Sequence, residues 1–188
     1  FYSLKIIKLI PRNRNEKETI EKKYIYENQF MLLLSRFGQN KIIFLDEVGF
    51  SVSMRARRGR SLIGLPATQI VPALRSRNIS ICCGISNSKI IHYMAKTRAY
   101  NSIFFKEFLQ EIIIKLRQEN LQNMIIILDN VSFQHNLEAR NMIETAGHAI
   151  FHLPPYSPFY NPIENMFAAW KENIRRANPQ NEADLMEK

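Results

Sequence analysis

Two short apolar runs, KIIFLD at residues 41–46 and MIIILD at 124–129, constrain what this 188-residue chain can fold into more than anything else in it. Each is continuously apolar rather than alternating, the pattern of a strand buried on both faces, and sheets buried that way are covered by helices. The chain supplies them. Residues 12–36 carry no Pro or Gly and read as a charged helix that turns apolar towards its end and stops at Phe37-Gly38-Gln39-Asn40. Residues 101–118 read as a helix with Asn101 as its cap, and residues 136–146 as one closed by Gly147. Asn78–Ile85 and Lys89–Met94 read as two more strands joined by a short turn, and Ala149–Leu153 as a last strand. Between them, residues 51–77 are basic, hold Gly59, Gly64, Pro66 and Pro72, and show no sustained period, so hairpin and loop are expected there. Strands dominate the middle and then alternate with helices, which predicts one mixed α/β domain behind a helical lead-in.

Both apolar runs are expected to finish on an acid, Asp46 in the first and Asp129 in the second. The end of a buried strand lies at the sheet edge where ligands of α/β sheets gather, although an Asp there serves as readily as a loop cap. A third acid is oriented by other means. LPPYSPFYNP, residues 153–162, packs four prolines into ten residues just ahead of Glu164. Pro162 suits the first turn of a helix, where its missing N–H costs nothing, and Asn161 is a natural N-cap. Ile163, Met166, Phe167 and Trp170 then recur at spacings of three and four, an apolar helical stripe that assigns Phe167 and Trp170 to the core. Glu164 therefore falls in the first turn of a helix, where an acid also complements the helix dipole.

Three hard oxygen donors with no His or Cys cluster suit Mg²⁺ or Mn²⁺ rather than zinc. Two such ions can stabilise the attacking and leaving oxygens of a phosphodiester displacement. The net charge of +9, from 26 Lys and Arg against 17 Asp and Glu, favours a polyanionic partner, and a phosphate backbone fits that chemistry. No apolar run approaches the roughly 18 residues a membrane span needs. No signal peptide is read in FYSLKIIKLIPRNRN, and the start at Phe1 leads to the expectation of a piece of something longer. Cys82 and Cys83 are adjacent in an apolar run and are expected to be buried free thiols.

The order Asp46, Asp129, Glu164, with 34 residues between the last two, resembles the DDE catalytic domain of mariner-like transposases and their bacterial insertion-sequence relatives. FLDEVGF, LDNVSFQH and LPPYSPFYNPIEN resemble the three signature blocks of that superfamily, and PRNRNEKETIEKKY resembles the stretch that links its DNA-binding region to the catalytic core. The resemblance implies a ribonuclease-H-like α/β fold, a central mixed sheet with helices on both faces. It implies Mg²⁺-dependent cleavage at transposon ends and strand transfer into target DNA, with Asp46, Asp129 and Glu164 as catalytic metal ligands. It also implies a homodimer as the active complex, no membrane partner, and residence in a nucleus or a bacterial cytoplasm rather than secretion. On that reading residues 1–40 are a helical linker, 41–177 the catalytic domain and 178–188 a C-terminal tail. Two positions depart from the family: Phe159-Tyr160 stand where an acid is usual, and Gln134 stands where a His is common, with His135 one place later.

The remaining candidates carry two readings each. MRARRGR, residues 54–60, is a solvated basic hairpin or a phosphate contact through Arg55, Arg57, Arg58 and Arg60. His135 is a structural hydrogen bonder or a DNA contact, and Asn130 a turn cap or a partner for a metal-bound water. Glu47 points away from Asp46 if strand alternation continues. Nothing in the chain reads as a Walker loop, nucleophile elbow or zinc cluster. The rival functions are a generic metal-dependent nuclease and a domesticated DNA-binding protein that has kept the fold and lost catalysis.

Overall fold

A computed structural model describes residues 11–55, 59–68, 78–97, 101–129 and 137–187. The central element is β1 (Ile42–Phe50), whose side chains alternate between two cores. Ile43 and Leu45 enter one cluster, Phe44, Val48 and Phe50 the other, so the run Ile42–Leu45 is continuously apolar because both faces of the strand are covered there. β2 (Ile79–Ile85) pairs antiparallel with β1, and β3 (Ile90–Lys96) antiparallel with β2. On the other side β4 (Ile125–Leu128) runs parallel to β1, and β5 (Ala149–His152) parallel to β4. The sheet order is β3-β2-β1-β4-β5.

Helices cover both faces. α2 (Ser102–Gln118) and α3 (Leu137–Thr145) close the first core, where Phe105, Phe108, Leu109, Ile112 and Ile143 meet Ile43, Leu45 and Ile126. α4 (Ile163–Ala177) and the short α5 (Glu182–Met186) close the second through Ile163, Phe167, Ile174 and Leu185. α1 (Lys17–Phe37), preceded by a 3₁₀ turn at Arg12–Asn15, lays Tyr26 against Ile42, Ile125 and Ile127 on that same side. A mixed five-stranded sheet in this order with helices on both faces is the ribonuclease-H-like architecture that the family resemblance implies.

Local chemistry explains most element ends. Asn101 accepts the Phe104 N–H at 3.0 Å and starts α2. Gly38, at φ 75°, donates to the Leu34 carbonyl and ends α1, and Gly147, at φ 83°, follows the end of α3. Cys82 and Cys83 are free and buried. Two expectations need correction. β1 does not finish on Asp46 but continues to Phe50, because β2 goes on pairing with it from Asp46 opposite Cys83 to Phe50 opposite Ile79. The parallel partner does stop: β4 pairs Leu128 with Leu45, so Asp46 is the first β1 residue beyond that ladder. The second correction concerns Asn161, which makes no side-chain cap on α4. The segment expected as a tail carries α5, whose Leu185 is 5% exposed. Among the described residues no helix is long and apolar enough to cross a membrane.

Candidate active site

The end of the β1–β4 ladder places two acids side by side. Since Leu45 and Leu128 are register partners, Asp46 and Asp129 occupy the next step of two parallel chains. Alternation puts Asp46 on the α4 face of the sheet, with Phe44 and Val48, and puts Glu47 on the opposite face, as expected. Glu164 comes from α4, one residue past Ile163, whose fully buried side chain anchors the first turn to the sheet. Asp46, Asp129 and Glu164 line one cleft of about 450 Å³ together with Leu153, Tyr156, Ser157 and Asn161. The structure thus brings together the three acids nominated by sequence.

Asp46 is the most constrained of them. Its Oδ1 accepts the Glu47 N–H at 2.7 Å, and its Oδ2 accepts from Asn161 Nδ2 at 2.9 Å. Burial pushes its carboxyl up to about 7, and the charges of Glu164, Asp129 and Glu47 push the same way against the Glu47 hydrogen bond. Like charges held near one another in a partly dehydrated cleft are a standing invitation to a cation. Among the described residues, however, no group of three or more His, Cys, Asp or Glu is gathered closely enough to hold a metal ion with the side chains as they lie. The three acids share a cleft and a field without forming a ready-made cage.

Asn161 is the residue that sequence reasoning misplaced. A cap was expected, but the amide reaches a carboxylate, and a charged acceptor makes the stronger bond. Its carbonyl nevertheless accepts the Glu164 N–H at 3.1 Å, and the carbonyl of Pro162 accepts that of Asn165 at 3.1 Å, so the backbone starts the helix unaided. The signal available in sequence was the place of Asn161, three residues before Glu164 in a proline-stiffened turn. Phe159 and Tyr160, the departure from the family pattern, dock this turn on α1. Tyr160 stacks on Tyr26 at 5.3 Å and donates its hydroxyl to Glu27, and Lys23 lies 5.7 Å from the Phe159 ring.

The arginines divide. Arg55 donates to the carbonyls of Val52, Met54 and Pro179, which ties the segment after β1 to the end of α4. Arg60 is exposed. Arg57, Arg58, Asn130 and His135 lie outside the described residues.

Comparison with known proteins identifies a family and a fold. A family described as DDE superfamily endonuclease matches residues 41–186. No curated protein matches the chain significantly. Among solved structures, the pre-cleavage Mos1 transpososome superposes with a TM-score of 0.82 at 16% identity, covering 99% of this chain and 58% of that one. The Mos1 mariner paired end complex with Mn gives 0.81 at 18% identity, covering 98% and 57%. The catalytic domain of Mos1 mariner transposase gives 0.71 at 15% identity, covering 95% and 82%. At these identities the likeness is one of fold, and the chain spans little more than half the length of the chains in the two complexes.

Proposed function

This chain belongs to the DDE superfamily endonucleases, and from that premise we propose that it is the catalytic domain of a DNA transposase. Its reaction would be divalent-metal-dependent cleavage at transposon ends and strand transfer into target DNA. The observation that carries this reading is the convergence of Asp46, Asp129 and Glu164, from three separate elements, on one cleft at the end of the β1–β4 ladder. Support also comes from the similar solved structures, which include Mos1 complexes with Mn and with Mg and a strand transfer complex.

The donor set fits the ion: among the described residues, three carboxylates and no thiol or imidazole line the cleft, the choice of a hard cation. Asp46, Asp129 and Glu164 would hold Mg²⁺ or Mn²⁺, in our proposal two ions. When bound, they would supply charge stabilisation for the attacking and leaving oxygens of a phosphodiester. The protein's own contribution is positional. The sheet holds Asp46 and Asp129 in fixed register, and the Glu47 N–H and the Asn161 amide occupy both oxygens of Asp46. The apolar seat of Ile163 and Phe167 sets the distance of Glu164 from the sheet. Net positive charge draws a polyanion to that edge. DNA ends and a target duplex are the proposed substrates, and a homodimer the proposed acting unit.

Supercoiled plasmid tests the reading. The chain should nick it in Mg²⁺ or Mn²⁺ and not in chelator. Ca²⁺, which favours more ligands and looser geometry, should bind without supporting turnover. Asp129→Asn should abolish nicking while melting at the parent's temperature or higher. Undiminished nicking in chelator, or by the Asp129→Asn protein, would overturn the proposal.

A further inference from the structure

We propose that Asn161 is a positioning residue that sets the orientation of Asp46 towards α4, an inference that rests on the metal-dependent reading of the cleft. One residue here supports two of the three acids. Its Nδ2 donates to Asp46 Oδ2 at 2.9 Å, and its carbonyl accepts the N–H of Glu164 at 3.1 Å. With Glu47 N–H on Oδ1, both oxygens of Asp46 have a fixed donor, and the plane of the carboxylate is set. Removing the amide frees that plane to rotate and uncouples the sheet-borne acid from the turn that starts α4.

A second observation separates positioning from mere stability. Asn161 is 3% exposed, and its Oδ1 is buried with no hydrogen-bond partner among the described residues. A buried acceptor left unpaired works against folding. An apolar side chain of the same size would escape that penalty, and no cap on α4 would be lost, since Asn161 makes none with its side chain. What an apolar residue could not do is donate to Asp46. Groups that orient a metal-binding carboxylate in this way alter ion affinity without touching the ion.

The test is direct Mn²⁺ binding by the chain, followed by electron paramagnetic resonance, which reads both free Mn²⁺ and the symmetry around the bound ion. Melting of each metal-free protein is measured beside it. Glu164→Gln is the control for the cleft itself and should weaken binding. Asn161→Leu, which matches Asn in branching and in its number of side-chain heavy atoms, should weaken Mn²⁺ binding by about tenfold or more, the usual effect of removing an outer hydrogen bond to a ligand. It should also change the spectrum of the bound ion, with a metal-free melting temperature equal to or above the parent's. If Asn161→Leu does not fold, Asn161→Ala is judged by the same two readouts. Unchanged affinity in the Asn161 variants, with Glu164→Gln weakened, would overturn the inference and leave the cleft reading standing. So would a loss of affinity matched by a lower metal-free melting temperature in both variants, the mark of a structural role. No binding by the parent, or full binding by Glu164→Gln, would instead overturn the cleft reading and this inference with it.

Discussion

Asp46 is where burial, hydrogen bonding and charge repulsion meet in one side chain. Its folded carboxyl titrates at about 7, against about 3.8 for an ordinary Asp, with burial the largest cause. The sign of the consequence follows from which state holds the proton. Between about pH 4 and 7 the metal-free folded chain keeps a proton on Asp46 that the unfolded chain has released. Asp46 therefore favours folding least at high pH: its contribution falls as pH rises through that window and levels off above about 7. An Asp46→Asn protein has no such proton to lose. Melting temperatures in chelator from pH 4 to pH 8 should fall more steeply for the parent than for Asp46→Asn, with the mutant more stable at pH 8. Parallel curves would show that the cleft does not perturb this carboxyl.

α4 shows two devices for holding one acid, and their strengths differ. The prolines ahead of it restrict the backbone, a benefit of about 0.4–1 kcal/mol for a proline in a conformation it accepts. Pro162 is at φ −64° and ψ −20°, such a conformation. Phe167 is 2% exposed between the sheet and α4, beside Ile163 and Ile174. Emptying such a site costs about 3–5 kcal/mol. In urea unfolding, Pro162→Ala should therefore cost less than about 1 kcal/mol and leave Mn²⁺ binding nearly intact. Phe167→Ala should cost several times more and weaken binding as the helix loses its seat. Equal costs would mean that the stiff turn, not the core, holds Glu164 in place. The sequence made both devices visible, because proline placement and helical period are local patterns. It could not rank them, since burial of Phe167 depends on a sheet assembled from distant strands.

For the whole molecule, the proposed association with DNA should answer to salt through its phosphate contacts, and the placement of each arginine decides which ones contribute. Each phosphate contact adds roughly 0.9 to the slope of log affinity against log salt. Arg60 is exposed and free to make such a contact. Arg55 is engaged with three backbone carbonyls, one of them on Pro179. Arg60→Gln should lower the slope by about one unit for any duplex sequence. Arg55→Gln should leave the slope unchanged and reduce stability by about 1 kcal/mol, the net worth of lost hydrogen bonds. A lower slope for Arg55→Gln would return it to the DNA-contact set, and unchanged slopes for both would make the basic run a solvated surface.

Period, caps and turn residues determined by themselves the five strands, the long helices and the three acids at issue here. These are short-range signals: apolar runs at 41–46 and 124–129, Asn101 at a helix start, a stripe at three and four in α4. Tertiary structure alone decided that β1 outlasts Asp46, because the pairing that extends it belongs to β2. It alone turned Asn161 from a cap into a partner of Asp46, 115 residues away, and turned Arg55 towards Pro179, 124 residues away. Local pattern carries no information about such pairs. A hydrogen bond forms only where donor and acceptor stand within about 3 Å, and that spacing exists only after sheet and helix have packed.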